Sequence, residues 1–277
     1  MNRAYGKIIK MGCFTDWRSM RTATFEECTE WRAVPLKVDF DLPSGVLEFS
    51  TMSAPNQNRN LFVWLLAGAA AVVLAWLLDM RVDAALDVAG KPSLQRLAWW
   101  CSEAGEGWAV AVWGILCAAI LFQLKRPDVA GKIFFVAATA EMAGLVAVII
   151  RAFVGRARPN AHVPQGVYGL WHDGHWLVGR YDFSAFPSGH SAVAAGLAAS
   201  AWLFSPRWGK VAAVYALAVM WSRIAQGSHH LSDVVASIVI AIPIAVLMKR
   251  YFAAANQMYF EKMGNRKAAG TTVARKF

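Results

Sequence analysis

The chain has 277 residues, 57% hydrophobic and only 17% charged, with a mean hydropathy of +0.37. Such a composition excludes a disordered chain and a compact water-soluble fold. The 28 Lys and Arg against 18 Asp and Glu give a net charge of +10, but much of it lies in short loops and tails between apolar runs, which is the positive-inside pattern of a membrane protein, so nucleic acid is not an expected partner.

Residues 1–60 mix charges of both signs without an apolar run, and are expected to form a poorly ordered cytoplasmic extension. Met52, just ahead of the first apolar run, is an equally good starting point, which leaves the place of residues 1–51 open. Six apolar segments follow, at 61–78, 108–124, 133–150, 191–204, 211–225 and 234–248. They predict an all-α polytopic membrane protein whose six transmembrane helices occupy residues 61–250, with a basic cytoplasmic tail over 251–277.

Placing both termini inside gathers Lys125, Arg126, Lys132, Arg207, Lys210, Lys249 and Arg250 on the cytoplasmic side. The loops 79–107 and 151–187 then face out, and the apolar stripe of Leu94, Leu97, Trp99 and Trp100 suits an interfacial helix. The cysteines offer no framework. Cys13 and Cys28 lie in the N-terminal segment, and Cys101 and Cys117 on one helix would stand about 24 Å apart, beyond disulfide reach.

Three polar clusters mark the outer ends of the later segments. Arg151, Arg156 and Arg158-Pro159 stand where the third segment emerges; alone, they read as snorkelling side chains. Pro187-Ser188-Gly189-His190 precedes an Ala-rich segment, with Ser188 placed to cap a helix, Gly189 allowing close backbone approach, and first-turn N–H groups that favour an anion. Ser222-Arg223 is followed by His229, His230 and Asp233, and a helix starting near His229 would set Asp233 one turn from its imidazole.

Three arginines, a helix N-terminus and two histidines on one membrane face describe a phosphate site. His190, His229, His230 and Asp233 could also hold a metal, but three arginines around a divalent cation argue against it. Glu141, mid-segment, reads as an interhelical hydrogen bond, His230 as an interfacial histidine, and Trp171 to Trp176 with His172, Asp173 and His175 as an interfacial flap.

The spacings Arg151-x6-Arg158-Pro159, Pro187-Ser188-Gly189-His190 and Ser222-Arg223-x5-His229-x3-Asp233 resemble the three motifs of the type 2 phosphatidic acid phosphatase superfamily, membrane lipid phosphatases whose core is related to vanadium haloperoxidases. The resemblance covers roughly residues 60–250. It departs at position 151, an arginine where the family has lysine.

Carried over, the resemblance implies His229 as nucleophile on phosphorus, Asp233 as the group that fixes its tautomer, and His190 as proton donor and acceptor. Arg151, Arg158, Arg223, Ser188 and Gly189 would hold the phosphate oxygens, with no metal or other cofactor required. The implied partner is a lipid phosphate at the outer face of the cytoplasmic membrane: a polyprenyl diphosphate, phosphatidylglycerophosphate, phosphatidate or lipid A. A transporter would instead want its polar residues at mid-membrane, and an inactive lipid-binding relative would be expected to lose one of the histidines.

Overall fold

The computed structural model describes residues 54–274, with side chains described over 62–253. The expected N-terminal extension, with Cys13 and Cys28, therefore lies outside the described residues as far as residue 53, as do residues 275–277 of the tail. Among the described residues the chain forms seven helices: α1 (Ala54–Leu86), α2 (Pro92–Ala104), α3 (Gly107–Gln123), α4 (Pro127–Val154), α5 (Gly189–Trp202), α6 (Pro206–Ala225) and α7 (Leu231–Ala274). The long connection between α4 and α5 carries a ribbon of β1 (Trp171–His172) and β2 (His175–Trp176), antiparallel with Trp171 opposite Trp176, and a 3-10 turn at Tyr181–Phe183.

The exterior is apolar and the interior small or polar, the reverse of a soluble protein. Leu77, Trp208 and Val214 are each exposed by 70% or more, whereas Asp79, Arg156, His229 and Asp233 are buried. α5 packs against α4, α6 and α7 through small side chains, among them Ala143, Ala147, Ala192, Ala194 and Ala195. Lipid tails give helices no hydrophobic reason to associate, so contact depends on close approach. Gly196 permits it, because a Cβ there would stand 2.9 Å from Ala143 Cβ and 3.1 Å from Ala140 Cα.

Three helical stretches are long and apolar enough to cross a membrane: Phe62–Leu86, Pro127–Val154 and Leu231–Ala253. α2 and α3 pass together as a fourth, bent by 56° between them. Two expected spans fall short by this measure. α5, at 14 residues, rises only about 21 Å, and α6, at 20 residues, carries Arg207, Lys210 and Arg223.

The first expected segment ends too early. Its hydropathy fails at Asp79, yet α1 continues to Leu86, so Asp79 and Asp83 sit on a helix and not in an outer loop. The interfacial stripe does form a helix, α2, with Leu97 and Trp100 exposed and Ala98 and Ser102 buried.

Candidate active site

The start of α5 forms as its sequence dictates. Ser188 is the N-cap, in extended conformation, and its hydroxyl accepts from Ser191 N at 3.4 Å. Its backbone N–H donates to the Asp233 carbonyl at 3.3 Å, and its own carbonyl accepts from Ser237 Oγ at 2.8 Å, so α5 and α7 are stitched where each begins. His190 falls in the first turn, its Nε2 3.0 Å from Glu106 Oε1 at the α2–α3 bend. A Cβ on Gly189 would stand 3.6 Å from Arg151 Nη1, which brings that guanidinium to the same helix start.

α4 stops at Gly155, in the left-handed region at φ 61°, where any side chain would overlap the Gly169 carbonyl. The chain then turns back over the helix ends, with Ala157 N donating to Gly166 O at 3.0 Å, Arg158 N to Asp182 O at 2.9 Å and Ala185 N to Arg156 O at 3.1 Å. Arg158 lies over the Tyr181 ring, 3.8 Å from its centroid, and donates from Nη2 to Ser184 Oγ at 3.1 Å.

The third cluster sits in the turn between α6 and α7. Arg223, in the last turn of α6, donates to the buried Ser102 hydroxyl of α2. α7 begins at Leu231, two residues beyond His229, and Asp233 in its first turn accepts from His230 N at 2.8 Å. A carboxylate three residues in, bonded to the N–H just ahead of the helix, is half of a capping box and favours the positive helix end.

His229 is fully buried. Its Nδ1 lies 2.7 Å from the Ala185 carbonyl and 3.7 Å from Asp233 Oδ2. A carbonyl oxygen can only accept, so Nδ1 carries the proton in that contact, and the Asp233 carboxylate faces the same nitrogen. That leaves Nε2 with its lone pair free of a proton. Burial, then Arg158 and Arg223, push the imidazole down to about 3 against the pull of Asp233. Burial likewise holds the Arg158 guanidinium below its ordinary value, with Tyr181 and Asp233 acting the other way.

Among the described residues, His229 Nε2, Arg158 Nη1 and Arg223 Nε are buried without a hydrogen-bond partner. Leaving such a group unpaired costs about 1–3 kcal/mol. The charges of Arg158 and Arg223 bear on His229, and an imidazole nitrogen with two cationic donors suits a phosphoryl group, whose phosphorus is electrophilic and whose oxygens are anionic. Arg151 also acts electrostatically on Arg158, Arg223 and His190, so the cations of the first and third motifs bear on the histidine of the second.

The histidine next to the nucleophile position is not interfacial. His230 is buried, with Nδ1 2.5 Å from Asp83 Oδ2 and Nε2 3.1 Å from Gln165 Oε1. Glu141 does not make the expected interhelical bond through Oε1, which is buried without a partner, while Oε2 lies where a Cβ on Gly107 would approach to 3.0 Å. The ribbon residues His172, Asp173 and His175 are exposed, apart from the histidine cluster.

The motif spacings did not reveal Asp79, Ser102 or Glu106. The available signal was a count of charge: buried arginines at span ends require carboxylates, and Asp79 and Glu106 border the first two apolar runs.

Residues 130–257 match the family model of the PAP2 superfamily and contain all three motifs described above. A lipid A 1-phosphatase of Rhizobium johnstonii is 29% identical over 115 residues, covering 42% of this chain and 46% of that protein. One of Rhizobium etli is 30% identical over 100 residues, covering 36% and 41%. The matched stretch thus spans less than half the length of either relative. In fold, the chain is similar to a transmembrane PAP2-type phosphatidylglycerolphosphate phosphatase from Bacillus subtilis, with a TM-score of 0.52 at 19% identity over 70% of this chain and 95% of that one. The match to the PAP2 superfamily model thus runs through all three motifs, as the resemblance of their spacings implies.

Proposed function

We propose that the protein is a membrane lipid phosphatase that works through a phosphohistidine. The observation that carries this reading is His229: a buried imidazole whose Nδ1 meets the Ala185 carbonyl, whose Nε2 is unpaired, and on which the charges of Arg158 and Arg223 bear.

In this reading Nε2 attacks phosphorus in line, forming a P–N bond as the bond to the leaving oxygen breaks. His190 gives its proton to that oxygen. Asp233, close to Nδ1, offsets the positive charge that the ring acquires. Water then attacks phosphorus, the P–N bond breaks, and the water proton returns to His190. Arg151, Arg158 and Arg223, with Ser188 and the Gly189 N–H, hold the three equatorial oxygens throughout. No metal enters these steps.

Six spans, with both termini cytoplasmic and the site facing out, complete the reading; α5 and α6 would cross together with their flanking residues and the local bilayer. The names of the curated relatives put the 1-phosphate of lipid A first among the substrates, ahead of polyprenyl diphosphate, phosphatidylglycerophosphate and phosphatidate. Phosphate release from each of these four lipids, by the purified protein in detergent, tests the proposal. Release from lipid A above the others supports it, release from another of the four changes the substrate alone, and release from none, with folded protein, removes the phosphatase reading.

A further inference from the structure

The first membrane helix enters the candidate site through one buried carboxylate. Asp79, 3% exposed, accepts from Ser232 N at 2.8 Å through Oδ1, and from Ser232 Oγ at 2.6 Å and Arg156 Nη2 at 2.7 Å through Oδ2. Arg156, 5% exposed, also donates from Nη1 to Ser232 Oγ at 2.7 Å and to Asp233 Oδ1, and its guanidinium lies 3.8 Å from the centroid of the Trp76 ring. Neither Asp79 nor Arg156 belongs to the three motifs, and Asp79 precedes the region that matches the family model.

We propose that Asp79 and Arg156 are positioning residues for the catalytic carboxylate, Asp233, acting on His229 through it. The inference rests on the phosphohistidine reading and deepens it.

The geometry supplies two physical effects. The first is orientation. Asp233 is clamped on both oxygens, Oδ1 by Arg156 and Oδ2 by the N–H of His230, so its carboxylate stays turned toward Nδ1 of His229. Arg156 is in turn fixed by the stack on Trp76 and the bond to Asp79.

The second effect is charge. Asp79, Arg156 and Asp233 form a row of minus, plus and minus, with a net charge of minus one beside an imidazole that becomes cationic on phosphorylation. Without Asp79, Arg156 would cancel Asp233, and the row would offer the new cation nothing. In a buried site such a lost charge is felt strongly, because little solvent screens it. Ser232 serves both members, accepting from Arg156 while donating to Asp79, which links α1, the α4–α5 loop and the start of α7.

The test is kinetics on the purified full chain with lipid A as substrate and vanadate as a competing phosphate analogue. Asp79→Asn keeps the shape and an Oδ1 that can accept from Ser232 N, but puts an amide NH2 where Oδ2 accepts from Ser232 Oγ and Arg156, so the charge and the ion pair are both lost. We expect kcat to fall at least tenfold, with KM and the vanadate inhibition constant within twofold of the wild type. In an Asp233→Asn background the same change should cost less than twofold, since the residue it acts through is already neutral.

If Asp79→Asn fails to fold, Asp79→Asn with Arg156→Gln takes its place: it leaves the net charge at minus one but removes the clamp on Asp233, so kcat should still fall several-fold, and less than twofold in the Asp233→Asn background. A wild-type kcat in the variant, a rise in KM alone, or an equal loss with and without the Asp233 carboxylate would each overturn the inference. A wild-type enzyme that releases phosphate from lipid A without forming an acid-labile phosphoenzyme would instead overturn the mechanism beneath it.

Discussion

Glu106 Oε1 stands 3.0 Å from His190 Nε2, so the histidine expected to carry the leaving-group proton has a carboxylate partner from the α2–α3 bend, a part of the chain remote from every motif. Burial, then Arg223 and Arg151, oppose it and hold the imidazole below its ordinary value. Glu106 thus supports the protonated form in a field that is otherwise positive.

The consequence is a shift in pH dependence. His190 must be protonated to donate, so activity falls as pH rises through its pKa. Removing the Glu106 charge lowers that pKa. Glu106→Gln should therefore move the alkaline limb of kcat/KM to lower pH by about one unit, while activity at the acid end is largely kept. A purely structural role would scale the profile without moving it, and a profile lowered equally at every pH would remove Glu106 from the proton path.

How much of this was legible in the chain follows from distance along it. Ser188, His190, Arg223, His229 and Asp233 could be read because each motif is short, and a helix start or a one-turn spacing carries its geometry with it. Asp79, Ser102 and Glu106 could not be placed, because their partners lie 153, 121 and 84 residues away. The end of α1 was misplaced for a related reason. Hydropathy marks where lipid contact becomes costly, whereas the helix is held by backbone bonds and continues past Asp79 and Asp83, whose carboxylates are met by Arg156 and the His230 ring. Helical rotation would turn His230 away from His229 toward the interface, but both residues precede α7, where that rotation does not apply.

His229 gives a second pH prediction. Its folded value of about 3 lies below the ordinary 6.5, so between these values the unfolded chain binds a proton that the folded chain does not. Stability then rises with pH, and the contribution is lost as pH falls from about 6.5 toward 3. His229→Gln should abolish turnover, and its thermal midpoint in detergent should fall less than that of the wild type on going from pH 7 to 5. An equal fall in both proteins would mean that His229 is not held neutral by the fold.

Vanadate should inhibit, because it adopts a trigonal bipyramid like the transferring phosphoryl group and meets the same three arginines. EDTA should leave turnover unchanged within about twofold. Activity lost in EDTA and restored by a divalent cation would instead assign the histidines to a metal.

Arg151 is where the chain departs from the motif it resembles, and its surroundings argue for a part in the site. Its Nη1 lies against Gly189 at the start of α5, and its charge bears on Arg158, Arg223 and His190. A snorkelling arginine would instead extend toward the headgroups. If the guanidinium holds a phosphate oxygen, Arg151→Ala removes a charge-assisted contact that strengthens in the transition state, and kcat/KM should fall about a hundredfold. Arg151→Lys should recover most of that loss, because a lysine at this position can reach the same oxygen as a point charge, though without the fork. The two variants are compared at equal abundance in the membrane, with vanadate inhibition measured alongside. Weaker vanadate binding in Arg151→Ala but not in Arg151→Lys would place the cation on the phosphate, whereas near-normal kinetics in both would leave Arg158 and Arg223 as the clamp.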